Sequence, residues 1–282
     1  MSEKNTKNKK TLLNLLLTNK NISSEKIAKA YILAGEVTVD GAIVNKPGTL
    51  VSINSVINIK EKNLYVSRGA IKLAEAVKDF NVNFHGKKGI DFGASTGGFT
   101  DFMIKNGAQK VIAVDVGYGQ FAWELRNNKN IVLFERTNLR NLEPEMLPFI
   151  PDFAVADLSF ISIRKIFYKF FQLTDLSAEF LLLIKPQFEL EKKLVENKGV
   201  IKNINLHIKV LSDVINFFNE YKGINISGIN FSKIKGIKGN IEYWIYLKKI
   251  NDSIKEKKYI NYDKIIEEVA LKSHEYFLKK PD

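Results

Sequence analysis

Apolar and polar positions change their period once, near residue 66, along this chain of 282 residues. Before that point the pieces are short. Leu12 to Leu17 is a leucine run suited to a short buried helix. From Ser24 to Ala34, Ile27, Ala30, Tyr31 and Ala34 recur at spacings of three and four, as on one helix face, with Ser24 as N-cap and Gly35 as terminator. Val37 to Val44 reads as two strands joined by the turn Asp40-Gly41. Pro47-Gly48 breaks that pattern, and Val51 to Ile59 alternates like a further strand. Two helices and a small sheet make a compact α+β module over residues 1–60, and residues 61–66 read as a linker.

From Ser67 onward, helices alternate with short apolar runs. Helices are predicted at 67–80, 98–105, 120–126, 163–171 and 205–221, and strands at 89–92, 111–116, 131–134, 153–156 and 180–184. Two adjoining strands, 224–231 and 241–248, close the pattern. Strands apolar on both faces must be covered on both faces. The fold class is therefore α/β, a Rossmann-like doubly wound domain with a mostly parallel sheet over residues 67–250, and ligands are expected at the C-terminal ends of its strands. Residues 251–282 add a helical extension, with Ile265, Ile266, Val269, Ala270 and Phe277 on one side.

The first strand of that domain ends in Asp91-Phe92-Gly93-Ala94-Ser95-Thr96-Gly97-Gly98. Glycines after a strand let the backbone pass close to a ligand, and the helix that follows offers its N-terminus to an anionic group. A nicotinamide site requires Gly-x-Gly-x-x-Gly, and the position of its second glycine is held by Ser95. Asp91 instead suits a methyltransferase turn, where the carboxylate orients the methionyl end of an adenosyl cofactor. Asp115, followed by Val116, ends the second strand and can bind ribose hydroxyls. Thr137 and Asn138 follow the third strand, where an adenine edge would lie; an ordinary loop accounts for them equally well.

Composition narrows the chemistry. The chain has no cysteine, which removes disulfides, thiolate metal sites and cysteine nucleophiles, and with three histidines a metal site is not expected. No apolar run approaches the roughly 20 residues of a membrane span. The polar, lysine-rich start is unlike a signal peptide, so a cytoplasmic location is expected. The formal charge of +12 divides as +5 over residues 1–66, +1 over 67–184 and +6 over 185–282. Basic flanks around a nearly neutral centre suit a polyanionic partner held from outside.

Two resemblances follow from particular strings. Ala34-Gly35-Glu36-Val37-Thr38-Val39-Asp40-Gly41 resembles the RNA-binding domain first described in small-subunit ribosomal protein four, over roughly Lys10 to Lys60. The arginines usual in its first two helices are replaced. Lys26 and Lys29 stand in as point charges without bidentate phosphate geometry, and Arg68 is a third candidate for RNA contact. From Val66 to Lys248 the chain resembles the TlyA family, haemolysins by tradition and ribosomal RNA 2′-O-methyltransferases by mechanism, with an FtsJ-like catalytic domain. The strings that carry it are DFGASTGGFT (91–100), DVGYGQ (115–120), ERTN (135–138), ADLSFIS (156–162), KPQFE (185–189) and GNIEY (239–243).

The resemblance implies S-adenosylmethionine as cofactor, bound by Asp91, Gly93, Ala94, Ser95, Thr96, Gly97, Gly98, Asp115, Val116, Thr137, Asn138 and Asp157. It implies ribosomal RNA or a ribosomal subunit as partner, and carries the family's catalytic tetrad onto Lys72, Asp157, Lys185 and Glu242. Strand ends deliver Asp157 and Lys185 directly to the ligand edge. Lys185 is expected to contact the ribose 2′-hydroxyl, either as a neutral base or as a cation that stabilises the developing alkoxide. Asp157 and Glu242 would hold the lysines and balance charge. Base methylation fits less well: Asp157-Leu158-Ser159-Phe160 lacks the prolines of amino-methylases, and cytosine C5 chemistry commonly needs a cysteine. The alternatives are a membrane-active cytolysin and an RNA-binding protein whose methyltransferase domain is inactive.

Overall fold

The computed structural model describes residues 10–19, 25–33, 35–59, 65–195, 199–250 and 261–279. The chain forms two compact units, Met1–Leu64 and Tyr65–Asp282.

In the first unit, β1 (Lys10–Leu12) leads into α1 (Leu13–Asn19), followed by α2 (Glu25–Leu33), β2 (Val37–Val39), β3 (Ala42–Ile43), β4 (Leu50–Ser52) and β5 (Ile57–Ile59). β1 pairs antiparallel with β4, and β2 lies between β3 and β5. Leu13, Leu16, Leu17, Ala28, Ile32, Val37, Val39 and Val51 form its core. Asp40 and Gly41 both take positive φ, 51° and 86°, the geometry of a two-residue hairpin turn.

Two local expectations change. The leucine run starts as a strand, because Lys10–Leu12 finds a partner in β4, and becomes helical only at Leu13. Val51 to Ile59 is not one strand. Ser55 N donates to Ser52 O at 3.0 Å and Asn54 N to Ser52 Oγ at 3.2 Å, so the serines turn the chain between β4 and β5. The N-cap expected at Ser24 lies outside the described residues.

The second unit contains α3 (Arg68–Phe80), β6 (Lys88–Phe92), α4 (Gly98–Lys105), β7 (Lys110–Val114), α5 (Trp123–Arg126), β8 (Ile131–Phe134) and β9 (Phe153–Ala156). It continues with α6 (Ile163–Gln172), β10 (Glu179–Ile184), α7 (Pro186–Glu189), α8 (Ile204–Glu220), β11 (Ile224–Phe231), β12 (Tyr243–Lys249) and α9 (Tyr262–Lys279). Its seven-stranded sheet has the order β11-β12-β10-β9-β6-β7-β8. The five strands from β10 to β8 are parallel, and β12 and β11 add antiparallel at one edge.

Alternate strand residues feed opposite layers, as the strand period of two requires. Phe92, Ala154, Phe180 and Leu182 pack with Phe167 and Phe170 of α6 and Val214 and Phe218 of α8. Val155, Leu181, Leu183 and Trp244 pack with Leu73 of α3 and Phe102 and Met103 of α4. The doubly wound, mostly parallel sheet expected from the apolar runs is the observed one. Strand order reverses between β6 and β9, and a crevice opens beyond the carboxyl ends of strands at such a reversal. Among the described residues no helix is long and apolar enough to cross a membrane.

Candidate active site

The turn after β6 is built on close approach. A Cβ at Gly93, where φ is +84°, would lie 2.9 Å from the Asp157 carbonyl oxygen, so only glycine lets the ends of β6 and β9 come together there. At Gly97, with φ +91°, a Cβ would meet Leu125 at 2.6 Å and Phe121 at 2.8 Å. Ser95 also takes a positive φ, 51°.

Two carboxylates hold this turn. Asp91 is fully buried, and its Oδ2 accepts from Thr100 N at 3.0 Å and Thr100 Oγ1 at 2.7 Å. Burial pushes the Asp91 carboxyl up to about 7 against the pull of those bonds. Its Oδ1 is buried without a hydrogen-bond partner. Asp115 accepts from Ser95 N at 2.7 Å through Oδ2 and from Gly117 N at 2.6 Å through Oδ1. It thereby joins the loops after β6 and β7 while each oxygen keeps a lone pair for another donor.

A cleft of about 500 Å³ opens over these loops, lined by Gly93, Ser95, Asp115, Val116, Thr137, Asn138 and Asp157 among others. Ala94, Thr96 and Gly98 line an adjoining cavity of about 370 Å³ with Arg68, Lys72 and Lys235. Thr137 and Asn138 also have local duties: Thr137 Oγ1 donates to Glu135 O at 2.9 Å, and Asn138 Oδ1 accepts from Arg140 N at 3.1 Å. Behind them Arg126 grips Glu135 through Nη1 and Nη2, at 2.9 Å and 2.5 Å, and Glu135 accepts from Gly119 N at 2.8 Å. The Arg126 guanidinium holds the Glu135 carboxyl below its ordinary value.

These features suit an adenosylated amino acid. An orphaned buried carboxylate oxygen lies beneath the turn, a second carboxylate stands at the end of the next strand, and the glycine turn leaves room for ligand against backbone. The adjoining elements place all four tetrad side chains around one cavity of about 380 Å³. Lys72 projects from α3, Asp157 follows β9, Lys185 follows β10, and Glu242 precedes β12. They form two ion pairs, Lys72 Nζ to Glu242 Oε2 at 2.6 Å and Lys185 Nζ to Asp157 Oδ1 at 2.5 Å. That second contact has ion-pair distance without hydrogen-bond alignment, since Asp157 Oδ1 has no hydrogen-bond partner. Lys185 Nζ also donates to Ser159 Oγ at 3.2 Å. Burial raises the Glu242 carboxyl, opposed by the charges of Lys72 and Lys185. Asp157 lines both this cavity and the larger cleft.

Two aromatic rings at this cavity carry a part the sequence did not reveal. Phe160 is 89% exposed with φ +65°, an unusual conformation for a bulky residue, and its ring lies 5.2 Å from that of Phe188. Lys185 Nζ stands 5.9 Å from the Phe188 ring centre. The string Asp157-Leu158-Ser159-Phe160 placed an aromatic near the site, but its outward orientation depends on a backbone conformation that no periodicity encodes. Glu189 is also buried. It accepts from Ser162 Oγ at 2.6 Å and Ile163 N at 2.7 Å, fastening the start of α6 to the end of α7.

The RNA-contact candidates belong to different units. Arg68 begins α3 beside Lys72. Lys29, in the first unit, pairs with Glu25 at 2.8 Å, and the side chain of Lys26 lies outside the described residues. Among the described residues no group of three or more His, Cys, Asp or Glu could hold a metal ion.

The chain is similar to known proteins over most of its length. The family described as FtsJ-like methyltransferase matches residues 65–249. The 16S/23S rRNA (cytidine-2'-O)-methyltransferase TlyA of Mycobacterium tuberculosis is 38% identical over 231 residues, 81% of this chain and 86% of that protein. Hemolysin A of Brachyspira hyodysenteriae is 39% identical over 223 residues, 78% of this chain and 92% of that one. A solved structure of a hemolysin-type protein from Streptococcus thermophilus aligns with a TM-score of 0.72 at 34% identity, covering 96% of this chain and 98% of that chain. The chain belongs to the FtsJ-like methyltransferase family.

Proposed function

We propose that this chain is an S-adenosylmethionine-dependent methyltransferase that modifies a ribose 2′-hydroxyl of ribosomal RNA. The observation that carries the reading is the meeting of Lys72, Asp157, Lys185 and Glu242 around one cavity that shares Asp157 with the glycine-turn cleft. The relative from Mycobacterium tuberculosis is named for this reaction on cytidine, and its match over most of both chains supports the same substrate class.

The glycine turn from Gly93 to Gly98, with Asp91 beneath it and Asp115, Val116, Thr137 and Asn138 across the cleft, would hold the cofactor. S-adenosylmethionine, when bound, supplies a methyl group already activated by its sulfonium. The protein's part is to align the acceptor oxygen and accommodate one proton. Lys185 is the group assigned to the hydroxyl. Of the three N–H bonds of its ammonium, Lys185 gives one to Ser159 Oγ while the Asp157 carboxylate stands at ion-pair distance, so a further N–H can serve the acceptor oxygen. Held against the Asp157 carboxylate, Lys185 is suited to stabilise the developing alkoxide while the hydroxyl proton passes to solvent. Lys72 and Glu242 neutralise each other and line the same cavity.

Phe160 and Phe188 offer a face on which the acceptor base can stack, since base–aromatic stacking tolerates any sequence. Arg68 at the start of α3, and the basic first unit with Lys26 and Lys29, are assigned to the phosphate backbone. Residues 1–60 thus serve RNA binding, 61–66 link, 67–250 carry the chemistry, and 251–282 form the extension. The setting of such an enzyme is the cytoplasm, where ribosomal RNA is found.

The test is transfer of labelled methyl groups to unmodified ribosomal subunits, followed by mass mapping of ribose methylation. Lys185→Ala should keep S-adenosylmethionine binding by calorimetry and lose transfer. Wild-type-like transfer by that variant would overturn the assignment of Lys185.

A further inference from the structure

A second buried polar network lies behind Glu242. His207, on α8, has no exposed surface. Its Nε2 is 3.0 Å from the Ile201 carbonyl oxygen, and its Nδ1 is 2.7 Å from the Tyr243 hydroxyl. A carbonyl only accepts, so Nε2 carries the proton, Nδ1 is bare, and Tyr243 donates to it. The Tyr243 hydroxyl is also 3.0 Å from Ser273 Oγ on α9. Burial holds His207 down to about 4, which keeps the neutral ring in place through the physiological range.

The same stretch of backbone is gripped from its other side. Ile201 N donates to Asn240 Oδ1 at 2.8 Å, and Asn240 Nδ2 donates to Gly199 O at 2.7 Å. Gly199 and Asn240 line the tetrad cavity beside Lys72 and Glu242. Asn240 is two positions before Glu242, and Tyr243 is the position after it. One short segment thus carries a member of the tetrad and both attachments of the cavity wall.

We propose that His207, acting through Tyr243 and together with Asn240, is a positioning residue that sets Gly199–Ile201 as the wall against which the acceptor nucleotide is placed, making α9 part of the acceptor site. The identity of that occupant rests on the ribose-methylation reading above. The glycine turn is held by Asp91 and Asp115, not by this network, so the effect falls on the acceptor and spares the cofactor. A residue that merely filled the core would weaken both.

The test uses the full chain and begins with wild-type transfer to unmodified ribosomal subunits, which judges the substrate reading by itself. His207→Leu should then raise KM for the subunit by about tenfold or more, the scale expected when a bound reactant is misplaced by a fraction of an ångström. The Kd for S-adenosylmethionine should stay within about twofold, because no contact of the cofactor turn is touched. His207→Gln, whose amide nitrogen can still donate to Ile201 O, should return KM to within roughly threefold of wild type. Tyr243→Phe keeps the ring and its packing, and should raise KM by roughly threefold by removing the donor to Nδ1. It carries the test if His207→Leu does not fold. An unchanged KM in both His207→Leu and Tyr243→Phe overturns the proposal, as does cofactor affinity that falls in step with KM, or a glutamine variant no better than leucine. Amide hydrogen exchange at Ile201 tests the wall directly, even if the wild type methylates no ribosomal RNA. Faster exchange in His207→Leu, with β9 and β10 still protected, supports the wall's dependence on His207; unaltered exchange refutes it.

Discussion

Lys72 Nζ lies 2.6 Å from Glu242 Oε2, with side-chain exposures of only 11% and 3%, and joins two residues 170 positions apart. A buried ion pair of this kind is expensive to break and often neutral to replace. Glu242→Leu alone should cost about 3–5 kcal/mol by leaving the Lys72 ammonium uncompensated. The double variant Lys72→Met/Glu242→Leu should recover most of that stability and none of the methyl transfer. Denaturant unfolding and a transfer assay on the same samples check both halves. Equal instability of the single and double variants would show that the pair does not act as a unit.

Phe160 is held outward, beside Phe188, by a positive φ. Phe160→Ala should raise KM for ribosomal substrate by roughly 5- to 150-fold, since stacking one base on an aromatic ring is worth about 1–3 kcal/mol. Cofactor affinity should not move. Because stacking reads no base edge, the variant should weaken binding without changing which nucleotide is methylated.

Gly93 offers a stability test of the cofactor turn. Gly93→Ala would force a Cβ to 2.9 Å from the Asp157 carbonyl oxygen at a φ that side chains avoid. The expected cost is about 1–3 kcal/mol of backbone strain. Because the displaced atom belongs to Asp157, cofactor binding and transfer should both fall. Retained calorimetric affinity would show that the turn tolerates the shift.

Two buried groups should shape the pH dependence of stability in opposite senses. Asp91 has an ordinary value of 3.8, raised by burial to about 7, so its contribution is fully present below about 4 and is lost as pH rises towards 7. His207 has an ordinary value of 6.5, lowered by burial to about 4, so its contribution is present above 6.5 and is lost as pH falls towards 4. Thermal melting from pH 4 to 7.5 in the cofactor-free protein separates them. Asp91→Asn should reduce the loss on the alkaline side, to which the raised Glu242 carboxyl also contributes, and His207→Gln the loss on the acid side, to which the lowered His274 also contributes. Parallel curves for wild type and either variant would contradict the assignment of that group.

Much of the second unit was legible because strands and helices there announce themselves by period. The span of β9 matches the apolar run Phe153 to Ala156, and the β8 and β11 spans likewise match their runs. An apolar strand ending in a charge, as at Ile184-Lys185 and Ala156-Asp157, puts that charge at the sheet's carboxyl edge with little alternative. The first unit was read less well: at the end of β4 the Ser52 side chain accepts from Asn54 N and its carbonyl from Ser55 N, a turn that alternation alone did not show. β7 ended at Val114, short of the run 111–116, where the Asp115 side chain accepts from Ser95 N and Gly117 N.

By itself the sequence determined the alternation of elements, the glycine turn and the identity of the four charged residues, because these depend on local period and on which residue can occupy a given backbone state. Only the tertiary structure decided the pairing of Lys72 with Glu242 and Lys185 with Asp157, the outward turn of Phe160, and the His207–Tyr243–Ser273 relay. Each of these joins groups far apart along the chain or relies on a backbone angle without a periodic signature. Strand order and helix packing bring such groups together, and no stretch of residues states that order alone.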